Sequence, residues 1–289
     1  MLQDLAYGRL ENEFKKDMKP ASGDRVVCVQ GGSILIKRNE DETLVLPTCL
    51  EVMGWATDNR WDCWGERPFQ YVFRMQDEDY YIWMGNAGEC ADPAYRYEAT
   101  GNLRQIVSKD ICYAAMTAWH LFNWYRSSRY CGCCGTPTVH DENERMMRCP
   151  SCGNMIFPRI NPSVIIALTD GDKLLLSKYA GRAYARYALL AGFMEIGETA
   201  EECVAREVME EVGLKVKNVR YYKTQPWGIA GNILMGFYCD LDGDNTITLD
   251  ETELAMADWY HRDNLPAWDD GISLTREMIR VFGEGKEPK

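Results

Sequence analysis

The sequence predicts an α+β protein, in which a β-rich N-terminal domain and a four-cysteine zinc ribbon precede an α/β/α sandwich with helices packed on a mixed sheet. Three observations carry this. A helix with both ends marked lies in Gly192 to Leu214, GFMEIGETAEECVAREVMEEVGL, with short apolar runs on either side. Two Cys-x2-Cys knuckles, each followed by glycine, stand 14 residues apart in the middle of the chain. Runs rich in β-branched and aromatic residues, broken by polar turns, fill the first hundred or so residues.

The spacing divides the chain into a β-rich domain over 1–107, a linking helix over 108–127, a zinc ribbon over 128–157 and a catalytic domain over 158–289. In the first domain the strand candidates are Val26 to Val29, Ile34 to Ile36, Tyr71 to Arg74 and Tyr80 to Trp83, separated by Gly-Gly, Asn-Glu-Asp-Glu and Gln-Asp-Glu-Asp turns. Trp55, Trp61, Trp64 and Trp83 read as core or interface aromatics, and residues 102–107 as a loop or strand. Ser108 and Asp110 then open a helix whose apolar face is Ala114, Ala118, Leu121, Phe122 and Tyr125. His120 on it receives no role.

The knuckles are Cys131-x2-Cys134 and Cys149-x2-Cys152. Four thiolates suit tetrahedral zinc and leave no open position, so this zinc is expected to be structural. Cys133 falls inside the first knuckle, as a bystander or as an alternative register. Beyond the ribbon, Ser163 to Leu168 and Lys173 to Ser177 form a hairpin across Asp170-Gly171-Asp172, and Tyr187 to Leu190 leads into Gly192. Val219 to Lys223, Leu234 to Asp240, Thr246 to Thr248 and Trp259 to His261 are further strand candidates. Leu274 to Phe282 is a closing helix. Gln225-Pro226-Trp227 reads, on its residues alone, as a turn after a strand.

Composition sets bounds. The apolar fraction of 46% over 289 residues is that of a globular protein with room for two domains. The formal net charge of −12 opposes a broad nucleic-acid surface. No apolar run approaches the roughly 18 residues of a membrane helix, and MLQDLAYG lacks the pattern of a signal peptide, so a cytoplasmic location is expected. With no export signal, the twelve cysteines point to thiols and metal ligands rather than disulfides.

The chemistry concentrates in the marked helix. Thr199 is an N-cap, Glu202 completes a capping box and Gly213 sits at the left-handed C-cap position, which predicts a helix from Ala200 to Val212. Val204, Val208 and Val212 share one side, and Glu207, Glu210 and Glu211 cluster beside it at i, i+3 and i+4. Like charges so spaced cost roughly 0.2 to 0.5 kcal/mol per pair on an isolated helix. A hard divalent cation reverses that sign, since Mg²⁺ or Mn²⁺ takes oxygen ligands and completes its shell with water and phosphate oxygens.

Gly192, Glu198, Arg206, Glu207, Val208, Glu210, Glu211, Gly213 and Leu214 match every defined position of the Nudix box, G-x5-E-x7-R-E-U-x-E-E-x-G-U, and on it the chain resembles the Nudix hydrolases. The ribbon just before that box, and Gln225-Pro226-Trp227 after it, resemble the bacterial NADH diphosphatases, which also remove NAD caps from RNA. The likeness runs from about Arg104 to Ile279. The family's S-Q-P-W-P-F-P-x-S stands here as Thr224-Gln225-Pro226-Trp227-Gly228-Ile229-Ala230-Gly231-Asn232. Without the family's prolines, Gly228 and Gly231 are expected to loosen this loop.

The resemblance implies hydrolysis of the diphosphate of NAD(H) to NMN(H) and AMP, with NAD-capped RNA as a larger substrate, and a homodimer. It implies Glu207, Glu211, Glu253 and the Ala191 carbonyl as ligands of Mg²⁺ or Mn²⁺, with Glu210 a ligand or the activator of water. Arg206 and Glu198 are expected to pair and hold the box loop on its helix. Gln225, Trp227, Asn232, Phe193, Phe157, Glu144, Arg104 and Thr275 fall at substrate-contacting positions. Two alternatives stay open. One is a Nudix diphosphatase for another nucleoside diphosphate derivative, such as ADP-ribose or a dinucleoside polyphosphate. The other is a ligand-sensing or nucleic-acid-binding module on the same fold.

Overall fold

The computed structural model describes residues 1–6, 8–55, 68–85, 92–181, 186–266 and 271–289. Trp61 and Trp64 lie outside the described residues, as does the side chain of Trp55. The chain forms two compact units. One comprises Asp4–Arg159 with Gly228–Gly231, and the other Met1–Gln3, Ile160–Trp227 and Asn232–Lys289.

The N-terminal unit carries β1 (Leu10–Glu11), β2 (Arg25–Gln30), β3 (Ser33–Arg38), β4 (Leu44–Val45), α1 (Cys49–Trp55), β5 (Phe69–Met75), β6 (Glu78–Trp83), β7 (Tyr95–Ala99), α2 (Thr100–Ile106) and α3 (Lys109–Ser127). The strands run in the order β1-β5-β6-β2-β3-β4, with β7 on β3. Tight turns set the hairpins: Gly31 takes φ 57° between β2 and β3, and Gln76 and Asp77 take φ 53° and 65° between β5 and β6. Val26, Cys28, Tyr71, Tyr81 and Trp83 are buried together in its core.

Residues 102–107 are not a strand or loop: they fall in α2 and its C-cap. No side chain caps its first turn, and only Thr100 and Leu103 are buried, so neither a start signal nor an apolar stripe announces this helix. By contrast α3 begins where Ser108 accepts a hydrogen bond from the Ile111 amide. The ribbon follows as a small antiparallel sheet of β8 (Val139–His140), β9 (Met147–Arg148) and β10 (Met155–Ile156).

The C-terminal unit contains β11 (Asn161–Asp170), β12 (Lys173–Tyr179), β13 (Leu190–Phe193), α4 (Ala200–Val212), β14 (Val216–Trp227), β15 (Asn232–Leu241), β16 (Leu254–His261) and α5 (Leu274–Gly283). Its sheet runs β14-β15-β11-β12-β16 with β13 on β11, and β11 and β15 are parallel while the other pairs are antiparallel. Consecutive apolar residues serve opposite faces. Val164, Ile166, Leu168, Leu175, Phe237 and Cys239 pack under α4, whereas Ile165, Ala167, Leu174, Leu176 and Tyr238 pack under α5. The result is an α/β/α sandwich.

Two segments differ in kind from what the sequence predicts. Thr246 to Thr248 form no strand: the Thr248 and Asp250 amides donate to the Val212 and Glu211 carbonyls, covering the open end of α4 instead of a sheet edge. Gln225-Pro226-Trp227 is not a turn but the end of β14. That strand lies at the sheet edge, where a proline without an amide hydrogen is tolerated.

Candidate active site

The helix α4 is built as its sequence dictates. Thr199 Oγ1 accepts from the Glu202 amide at 3.2 Å, and the Glu202 carboxylate accepts from the Thr199 amide at 2.8 Å. At the far end Gly213 takes φ 69°, and a Cβ there would lie 2.9 Å from that of Thr248. Cys203, Val204, Val208 and Val212 anchor the helix on the sheet.

The three glutamates do not stay together. Glu207 and Glu211 are buried, and the side chain of Glu210 is 58% exposed. Arg206 explains the split. Its Nε and Nη2 donate to both Glu198 oxygens at 2.7 and 3.0 Å, a bidentate pair, and Nη2 also donates to the Phe193 carbonyl at 2.9 Å. Nη1 donates to Glu207 and to Glu210, each at 2.8 Å. One guanidinium thus ties the loop 193–198 to the helix and holds Glu210 on the outer side. Its hydrogen bonds hold the Glu198 carboxyl down to about 2.

Glu207 and Glu211 meet the loop strand β13 from below. The Glu207 carboxylate fills the space above Gly192: a Cβ on that glycine would sit 1.8 Å from Cδ of Glu207 and 1.9 Å from its Oε1. Only glycine leaves this room. Both oxygens of Glu211 are buried without a hydrogen-bond partner of normal geometry, the backbone of Ala191 giving only weak support. Burial, and then the charges of Glu207 and Glu253, push the Glu211 carboxyl up to about 8. Burial raises Glu207 as well, against the pull of Arg206. Glu253 itself is exposed. Buried carboxylates with free lone pairs and a third carboxylate close enough to repel them fit a hard divalent cation, which turns each of these costs into attraction.

Gly192→Ala tests the cradle. The added methyl must drive the Glu207 carboxylate from its place, so activity is expected to fall by about a hundredfold or more, as displacement of one preorganised charged group does. Circular dichroism should remain that of the parent. Activity within twofold of the parent would show that the Glu207 position is immaterial.

The other expected contacts are distributed between the two units. In the C-terminal unit Phe193 ends β13 and is 55% exposed, Trp227 ends β14 half-buried, and Thr275 sits in the first turn of α5 after its N-cap Ser273. Asn232 opens β15 opposite Trp227, and its Oδ1 is buried without a partner. Gln225 is fully buried, and its amide is engaged by the protein. Nε2 donates to the Ile272 carbonyl at 2.7 Å, while Oε1 accepts from the Leu274 amide at 2.8 Å. This amide braces the start of α5. Residue Gln3, which no sequence signal indicates, touches the same amide.

In the N-terminal unit Arg104 is half-buried on α2, Glu144 is exposed in the ribbon turn before β9, and Phe157 is 52% exposed just after β10. Gly228 also belongs to this unit. It does not act as a loosening residue. A Cβ there would lie 2.3 Å from the carbonyl oxygen of Met116 in α3, a backbone atom that cannot turn aside. Gly231, at φ 71°, returns its amide to the Gly228 carbonyl at 3.3 Å. Gly228→Ala is therefore expected to lower stability by about 1 to 3 kcal/mol, the usual cost of overpacking, in denaturant titration.

The ribbon sulfurs of Cys131, Cys134, Cys149 and Cys152 all lie within 4.8 Å of one another. Separations of 3.6 Å for Cys131–Cys152, 3.4 Å for Cys134–Cys149 and 3.6 Å for Cys134–Cys152 approach the edge of a zinc tetrathiolate, about 3.8 Å for Zn–S bonds of about 2.3 Å. Amides of Cys133 and Cys152 point at the Cys131 and Cys149 sulfurs, and Asn154 adds its side-chain amide to Cys131. Cys133 contributes that amide, and its own thiol is exposed outside the group. The register is thus Cys131 with Cys134.

Residues 159–281 match the NUDIX domain, and residues 126–157 match the NADH pyrophosphatase zinc ribbon domain. A Klebsiella pneumoniae (strain 342) protein named NAD-capped RNA hydrolase NudC is 40% identical over 182 residues, covering 62% of this chain and 70% of that protein. The chain belongs to the Nudix hydrolases. Proteins of the same name from Stutzerimonas stutzeri (strain A1501) and Shigella dysenteriae serotype 1 (strain Sd197) are 36% and 40% identical over 190 and 181 residues. These cover 66% and 62% of this chain, and 68% and 70% of those proteins. In this Nudix hydrolase the box supplies the buried carboxylates and the ribbon supplies a zinc site of four cysteines.

Proposed function

We propose that this Nudix hydrolase cleaves the diphosphate bond of NAD(H), giving NMN(H) and AMP, and acts on NAD-capped RNA by the same chemistry. The observation that carries the reading is the pair of buried carboxylates on α4: Glu207 in the Gly192 cradle, and Glu211 without a hydrogen-bond partner of normal geometry. The relatives named NAD-capped RNA hydrolase support the substrate class.

In this reading Glu207, Glu211, Glu253 and the Ala191 carbonyl would hold Mg²⁺ or Mn²⁺, which when bound would supply charge neutralisation for the diphosphate and activation of water. Glu210, on the solvent side of the cluster, accepts the proton of the attacking water. Arg206 keeps that carboxylate and Glu207 in place, and Glu198 keeps Arg206 oriented. Phe193 stacks on a base, Trp227 and Thr275 line the dinucleotide site, and Asn232 offers its free acceptor to a substrate N–H. Gln225 shapes the site through α5. Arg104, Glu144 and Phe157 are the other substrate contacts that the resemblance implies. The zinc is structural.

A homodimer follows from the resemblance, and sedimentation equilibrium tests it. No helix among the described residues is long and apolar enough to cross a membrane. The deciding experiment is a steady-state comparison of NADH, ADP-ribose, diadenosine diphosphate, nucleoside triphosphates and NAD-capped RNA with Mn²⁺, with products identified by mass spectrometry. NMNH and AMP as the preferred products are expected. A clear preference for triphosphates would overturn the reading.

A further inference from the structure

The first three residues of the chain belong to the C-terminal unit, although the chain from Asp4 onward belongs to the other. Met1 and Leu2 are buried, with Met1 in the core beneath α5, and the Leu2 amide donates to the Ile272 carbonyl at 2.9 Å. Gln3 then reaches the end of β14. Its Nε2 donates to the Thr224 carbonyl at 2.9 Å, and its Oε1 accepts from Nε2 of Gln225 at 3.3 Å. Gln225 passes the link on, donating to Ile272 and accepting from Leu274, the first residue of α5.

We infer that Gln3 is a positioning residue: its amide locks the strand end Thr224–Trp227 and the first turn of α5 into one hydrogen-bonded frame that presents Trp227 and Thr275 to the substrate. As the edge strand β14 has a sheet neighbour on one side only, and Pro226 contributes no amide hydrogen. Tyr222 and Lys223 donate to Glu277 of α5, and the end of the strand is tied to Gln3 and, through Gln225, to the Ile272–Leu274 segment. Gln225 can satisfy one Nε2 hydrogen with Ile272 but needs Gln3 for the other, and Gln3 in turn occupies the Thr224 carbonyl. Removing one amide therefore leaves a buried donor and a strand carbonyl to find new partners.

The inference rests on the proposed substrate role of Trp227 and Thr275, and its test separates the two. Gln3→Met keeps length and volume and removes both hydrogen bonds. With the full chain, Mn²⁺ and NADH, KM is expected to rise about fivefold, the equivalent of about one net hydrogen bond, with kcat within twofold. Hydrogen–deuterium exchange should speed up in peptides covering 222–227 and 272–276 and remain unchanged over α4. An unchanged KM with a lowered Tm, or unchanged exchange in those peptides, would overturn the positioning role. Trp227→Ala is measured alongside: if it leaves KM unaltered while Gln3→Met raises it, the assignment of Trp227 to the substrate site fails and Gln3 acts through the first turn of α5 alone. If NADH is not a substrate at all, the exchange result alone decides for or against the frame.

Discussion

Glu211→Gln is expected to lower turnover by about three orders of magnitude or more, and at the same time to stabilise the metal-free protein at alkaline pH. Both effects come from one feature, a carboxylate buried without a hydrogen-bond partner of normal geometry. Its folded pKa is raised to about 8 from an ordinary 4.5, so between these values the folded protein binds a proton that the unfolded chain has released. Stability then falls as pH rises through that window and is fully restored only below it. In chelator, the Tm of the parent should decline from about pH 5 to about pH 9 by more than that of Glu211→Gln. The amide carries no charge at any of these pH values, and burying it costs less than burying an anion. Above pH 8 the variant should be the more stable protein and still an inactive one. Near-parent activity would remove Glu211 from the metal site, and parallel Tm curves would remove the desolvated charge.

The second large effect belongs to the ribbon. The protein is expected to carry one zinc per chain by atomic emission, and Cys149→Ser to lose it. The ribbon strands are two residues each, and the sulfur cluster is what joins the two knuckles. In small modules of this kind zinc binding is worth roughly 10 kcal/mol or more, far above what such short strands supply. Loss of the metal should therefore abolish exchange protection over residues 130–156. The α4 and α5 cores lie in the other unit and should keep theirs. Protection of the ribbon that survives metal removal would show that the packing alone holds it.

Much of this molecule is legible in its sequence because the signals are local. The caps Thr199 and Gly213 mark α4 to the residue, since a side-chain cap and a left-handed glycine are determined by neighbours three or four positions away. The knuckle spacing identifies the zinc ligands for a similar reason, as a turn of fixed length sets the sulfur separation. Where the local signal is missing, the reading fails. Helix α2 has no capping side chain, and Thr248 and Asp250 spend their amides on the end of α4, which lies more than thirty positions away in the chain.

The sequence by itself thus determined the Nudix box, the ribbon, the ends of α4 and the residue types that can hold metal. Tertiary structure decided how those residues divide the work. Helical spacing puts Glu207, Glu210 and Glu211 side by side, but only packing against β13 buries two of them and leaves the third with Arg206. Only the fold shows that Gly192 is the space a carboxylate occupies, that Gly228 faces the Met116 carbonyl, and that Gln3 meets Gln225. The physical reason is common to all three. Each depends on atoms brought together across the fold, and burial, which sets the cost of an unpaired charge, is a property of the packed chain and not of any stretch of it.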